Sequence, residues 1–232
     1  MPIGALVDWA RRKRWAHLFV INLRIVVGFA FVPAGLKKVL DEPFTDPTNT
    51  GPFHEFLHAL YAVGPLYQFV GVMQLLAAVL LMTQRLATLG ALLATPIVAS
   101  IFVFVWSTEV YPTATVVTLI LLALGLLLLW DRHKWWPVLS ADDRDLHVRE
   151  PAPRLGIDHR LWQLCGVAIL VFYFVVCAVT GGIYRPRGVE YTNPEFYIMP
   201  TIALIPVVTY LIDRRRRRND HNREGAADQE AS

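Results

Sequence analysis

Long uncharged runs alternate with short blocks of charge along this chain. Six runs stand out, at residues 16–40, 66–84, 86–108, 110–130, 161–184 and 196–212. The first is interrupted by Arg24 and finishes at Lys37 and Lys38, and the last four hold no Asp, Glu, Lys or Arg. A bilayer core about 30 Å thick needs roughly 20 apolar residues in helical conformation, so most of these runs are long enough to span one. A soluble bundle would show a polar face on each helix, and these runs do not. No ten-residue alternation of polar and apolar positions recurs, which sets barrel strands aside. The pattern predicts an all-α membrane protein of six spans. A four-helix transmembrane bundle would occupy 16–130, and an additional C-terminal transmembrane hairpin would occupy 161–212.

The intervening segments divide the chain further. Residues 1–15 form a basic N-terminus. Residues 41–65 begin with turn formers (Asp41, Pro43, Asp46, Pro47, Asn49, Gly51, Pro52), after which Phe53, Phe56, Leu57, Leu60 and Tyr61 recur at helical spacing. This predicts a short amphipathic helix over 53–64, lying at the membrane interface. Residues 131–160 read as a cytoplasmic loop that opens on Trp130, Trp135 and Trp136, since tryptophan favours the headgroup layer. Residues 213–232 are basic, then small and polar, and predict a disordered tail.

Composition agrees with the pattern: 55% of the 232 residues are hydrophobic and the mean hydropathy is +0.42. The basic residues supply orientation. With six spans, seventeen Lys and Arg fall on the side of the two termini and the 131–160 loop. Four fall opposite (Lys37, Lys38, Arg185, Arg187), and Arg24 lies within the first run. The positive-inside rule then places both termini in the cytoplasm. The net charge of +3 describes this topology rather than a nucleic-acid partner, because basic blocks beside a span meet anionic lipid. The first run is long, holds Arg24 and lacks a small-x-small cleavage site, so it reads as an uncleaved helix. The two cysteines, Cys165 and Cys177, are twelve residues apart in one run. That is about 18 Å along a helix, too far for a disulfide between them.

Three constellations carry candidate chemistry. On a helical wheel, Arg24, Gly28, Phe31, Gly35 and Lys38 share an arc of about 80°. This stripe either bounds an internal polar site or packs, with Arg24 reaching the headgroups; both readings stand at this level. Gln74 is the only strongly polar residue in the middle of the second run, placed to bind a ligand or a neighbouring helix. Glu109 is placed to pair with Lys37 or Lys38. Finally, His54-Glu55-Phe56-Leu57-His58 fits H-E-x-x-H, which on a helix sets two imidazoles one turn apart beside a carboxylate. No third ligand follows at a convincing spacing, so zinc ranks below the other readings, and an interfacial helix is the plainer account.

RIVVGFAFVPAGLKKVL resembles the first helix of the DoxX family of small bacterial membrane proteins, through Arg24, Gly28, Gly35 and Lys37 or Lys38. FHEFLHALYAVGPLYQFVGVMQLLAAVLLMTQRLATLGALL resembles the family's interfacial segment, second helix and arginine-containing turn, here Arg85. The likeness covers roughly residues 18–131, and Gln74 stands where the family often has Glu. It implies a bacterial inner-membrane protein that supports quinone-linked redox chemistry as a subunit beside a redox partner. Arg24, Lys38 and Gln74 would hold a quinone or an anionic substrate, and His54 and His58 would exchange protons at the outer face. A non-enzymatic scaffold or small-molecule transporter, as a homo-oligomer or alone, is the alternative. A metal enzyme using His54, Glu55 and His58 is the third reading.

Overall fold

The computed structural model describes residues 3–135, 156–183 and 197–230. Among these the chain is helical, with no strand. The elements are α1 (Ile3–Arg11), α2 (Arg14–Val39), α3 (Pro52–Ala62), α4 (Pro65–Met82), α5 (Ala87–Ser107), α6 (Tyr111–Trp130), α7 (His159–Thr180) and α8 (Ile198–Glu230). Five of them, α2, α4, α5, α6 and α7, are long and apolar enough to cross a membrane. Their boundaries follow local chemistry. Proline, whose missing N–H costs nothing in a first turn, opens α3 and α4 and sits in the first turn of α6. The Asp158 carboxylate caps α7 by accepting the Leu161 N–H, and Gly181 ends that helix in the left-handed conformation.

The chain divides into two compact units, Met1–Ala152 and Pro153–Ser232. In the first, α2 packs along α4, α4 along α5, and α5 along α6, while α6 returns to touch α2. The tightest seam is α2 against α4. A Cβ added to Gly71 would lie 2.6 Å from Lys38 Cβ and 2.8 Å from the Gly35 carbonyl oxygen. One added to Gly28 would lie 2.6 Å from Met82 Cγ. Only glycine admits this approach, and in lipid such van der Waals contact is what holds helices together. Outward faces carry large apolar side chains, such as Val26, Val103 and Leu122, as expected where the solvent is hydrocarbon.

In the second unit α7 packs against α8. Trp162, Cys165, Ile169 and Tyr173 are buried on α7, and Ile202, Thr209 and Asp213 on α8. The Asp213 carboxylate accepts the Asp158 N–H at 3.0 Å, and Arg216 bonds Asp158 at 2.7 Å. The sequence predicts a disordered tail from 213; the backbone in this structure is helical to Glu230. Arginine, glutamate, glutamine and alanine are strong helix formers, and α8 has already nucleated before the first of them is added. Trp136 and most of the expected loop 131–160 lie outside the described residues, as do Arg185 and Arg187.

Candidate functional site

The charged residue of the first apolar run is turned inward. Arg24, eleven residues into α2, is 9% exposed and bonds the Asp131 carboxylate at 2.5 Å. Asp131, 2% exposed, follows directly on the last residue of α6. Its Oδ2 also accepts the Thr88 hydroxyl from the first turn of α5 at 3.0 Å, and its Oδ1 accepts Lys134 Nζ at 2.8 Å. The loop after α4 contributes Gln84. Its carbonyl accepts an Arg24 N–H at 3.3 Å, and its amide donates to the Ile21 carbonyl at 3.2 Å. Gln84 takes a left-handed backbone, φ 60°, a conformation costing a non-glycine residue about 1 kcal/mol. Four segments therefore converge on one ion pair. The carboxylate accepts from three donors, and Nε of Arg24 is left buried with no partner. Such a node fixes helix positions.

Gly28 and Gly35, predicted to line a polar site with Arg24, line a helix crossing. The Gly35 Cβ position would be 2.9 Å from the Gly71 carbonyl, so α4 itself fills the space beside these glycines. Lys38, at the other end of α2, is 7% exposed. Its Nζ donates to the Ala34 carbonyl at 3.1 Å and lies 4.5 Å from the centre of the Phe44 ring and 5.7 Å from that of Tyr67. These aromatic faces attract a cation. The expected ion pair between Lys38 or Lys37 and Glu109 does not form. Glu109 is exposed in a left-handed turn after α5 and joins no ion pair among the described residues.

Gln74 points into the α2–α4 seam. It is 3% exposed, its Cβ lies opposite Gly35, and its Oε1 is buried with no hydrogen-bond partner. In a medium without water, an unmet buried acceptor costs about 1–3 kcal/mol.

The H-E-x-x-H segment does lie on a helix, α3, whose Phe53 and Phe56 rings pack on Phe104 of α5. Its histidines are turned to the preceding loop. His54 Nδ1 bonds the Thr45 hydroxyl at 2.6 Å, and His58 Nε2 approaches the Asn49 carbonyl at 3.4 Å. Glu55 is exposed. In the same loop a hydrogen bond from the Thr48 hydroxyl lowers the Asp46 carboxyl below its ordinary range. Among the described residues no group of three His, Cys, Asp or Glu gathers into a metal-binding set.

At the Arg24 end, α1 is clamped to the end of α6. Arg11 donates to the Trp130 carbonyl and to His133 Nδ1, and Arg132 pairs with Asp8 at 3.1 Å. Burial, and next the neighbouring Arg11 charge, lower the His133 pKa, which keeps Nδ1 free to accept.

No protein-family model, curated protein or solved structure matches this chain. Geometry therefore carries the functional reading. Of the residues singled out in the sequence, α2 and α4 bring Lys38 and Gln74 to one seam. Arg24 goes to a separate node, and His54 and His58 go to the α3 loop. Sequence reasoning missed Asp131, Thr88 and Gln84. Their one signal was the placement of a lone carboxylate at the edge of an apolar run, opposite an arginine buried in another.

Proposed function

We propose that this chain is a multi-pass protein of the bacterial inner membrane, with both termini cytoplasmic. A DoxX-like four-helix unit, α2, α4, α5 and α6, would be followed by a two-span hairpin. Residues 198–212 of α8 would serve as the sixth span. Seventeen basic residues against four support the orientation.

We further propose that the α2–α4 seam binds a quinone-class ligand in support of quinone-linked redox chemistry with a partner subunit. The observation that carries this is the unmet Oε1 of Gln74, buried at the level of Gly35. A quinol hydroxyl is an apolar ring's own donor and matches such an acceptor; Lys38 is the donor for a ring carbonyl. The ligand would supply the redox chemistry. Gln74 and Lys38 would bind and orient it, and the apolar seam would exclude water. The ring would lie beside Gln74, not between Gly35 and Gly71, where the backbones touch.

A specific observation also favours the scaffold reading: α4 fills the glycine stripe and Asp131 pairs with Arg24. One experiment separates the two. Quinone is extracted from detergent-purified full-length protein and from Gln74→Leu, quantified by mass spectrometry, and both proteins are melted. The redox reading expects near-stoichiometric quinone that falls at least about tenfold in Gln74→Leu, the loss of one well-placed hydrogen bond in a dry site. Absence of quinone in the parent, together with a higher melting temperature for Gln74→Leu, would sink it and leave the scaffold.

A further inference from the structure

We propose that α1 and its junction with α2 form a binding site for the headgroup of an anionic phospholipid. The argument begins with the three faces of α1. One faces the protein: Val7 is 8% exposed, and Arg11 is held by the Trp130 carbonyl and His133. A second is apolar and uncovered, with Leu6 55% and Trp9 52% exposed. A third is polar, carrying Asp8, and Arg12 follows directly on the last residue of the helix. A short helix bonded to the end of a membrane-crossing helix, with leucine and tryptophan uncovered, has the form of an interfacial helix.

What covers Leu6 and Trp9 follows from continuity. On α2, Trp15, Phe19 and Val26 are exposed at helical spacing along one side of a helix apolar enough to cross a bilayer. That side meets lipid, and α1 precedes its first turn after the two residues Arg12 and Lys13. The same lipid layer therefore reaches α1, and tryptophan is the residue that favours its headgroup level.

The charge at this level selects the headgroup. Asp8 is occupied by Arg132 at 3.1 Å and by Arg11 at 3.9 Å. Arg12 and Lys13 are exposed and join no ion pair among the described residues. Lys13 Nζ lies 5.7 Å from the Trp9 ring centre, so a cation sits at the edge of the apolar face. An acyl chain along Trp9 and Trp15 would bring its phosphate to Arg12 and Lys13. A zwitterionic headgroup offers the same phosphate with a compensating ammonium, and gains less.

The test titrates the full-length protein in neutral detergent with phosphatidylglycerol or phosphatidylcholine, followed by native mass spectrometry. Tighter binding of phosphatidylglycerol is expected. Arg12→Gln/Lys13→Gln, whose side chains are exposed and leave the fold intact, should weaken that binding by roughly fivefold per charge and leave phosphatidylcholine unchanged. Leu6→Gln/Trp9→Gln should weaken both lipids. Equal binding of the two lipids would overturn the site. So would an anionic preference that survives Arg12→Gln/Lys13→Gln, since it would then belong to the Arg214–Arg218 run of α8.

Discussion

The Arg24–Asp131 pair makes the most demanding prediction. In Asp131→Leu the carboxylate is gone, and Arg24, 9% exposed within α2, retains its charge with only the Gln84 carbonyl at 3.3 Å as side-chain acceptor. Breaking one half of a buried pair costs about 3–5 kcal/mol, because the remaining ion is desolvated without compensation. Lys134 does not share the penalty: its side chain is 50% exposed and can turn to water. Replacing both partners by apolar groups removes the desolvation cost together with the attraction and is often close to neutral. The expected pattern is therefore a loss of about 3 kcal/mol or more in Asp131→Leu, with most of it recovered in Arg24→Met/Asp131→Leu. The assay is reversible unfolding of the full chain in mixed micelles with increasing dodecyl sulfate, run as a double-mutant cycle. A loss under about 1 kcal/mol in Asp131→Leu would refute the reasoning, since it would mean that Arg24 reaches solvent or headgroups unaided. So would a double variant no better than the worse single one.

Two further outcomes follow from the geometry. Gly71→Ala places a methyl 2.6 Å from Lys38 Cβ and 2.8 Å from the Gly35 carbonyl, so α2 and α4 must separate. A loss of about 1–3 kcal/mol is expected in the same unfolding assay, against little change for Gly125→Ala, where no atom lies within 4 Å. Asp158 should report acid sensitivity of the second unit. The Leu161 N–H, and after it Arg216, hold its carboxyl below the ordinary 3.8. A lowered carboxylate pKa means the folded state binds its proton later than the unfolded chain. Its contribution is therefore complete above the ordinary value and is lost as pH falls through the depressed one. Amide exchange at the start of α7 should rise over that window, and Asp158→Ala, which removes a cap worth about 1 kcal/mol, should show the faster exchange already at neutral pH.

How much was legible beforehand differs between fold and site, for one reason in each case. The five helices able to cross a membrane, and α3 before α4, were readable because length and hydropathy are properties of a segment alone. Their ends fell within a few residues of expectation because proline and glycine punctuate the chain locally. The helical backbone of α8 beyond 213 was not legible, because a basic, polar composition argues against a packed core and not against a helix that continues from an apolar nucleus. The fate of Arg24 was not readable. Whether it snorkels or turns inward depends on Asp131, 107 residues away in sequence, and on Gln84 and Thr88, none of which share a motif with it.

The sequence by itself determined that this is a helical chain made for a bilayer and which of its residues would be expensive to bury. Only the tertiary structure decided how each such residue is compensated. It gave Arg24 a carboxylate, set Lys38 against two aromatic rings, filled the space beside Gly28 and Gly35 with a neighbouring helix, and left the Gln74 Oε1 acceptor unmet. Hydropathy is summed along a segment and survives without neighbours, whereas desolvation of a buried polar group is settled pair by pair, between helices whose register no local pattern records.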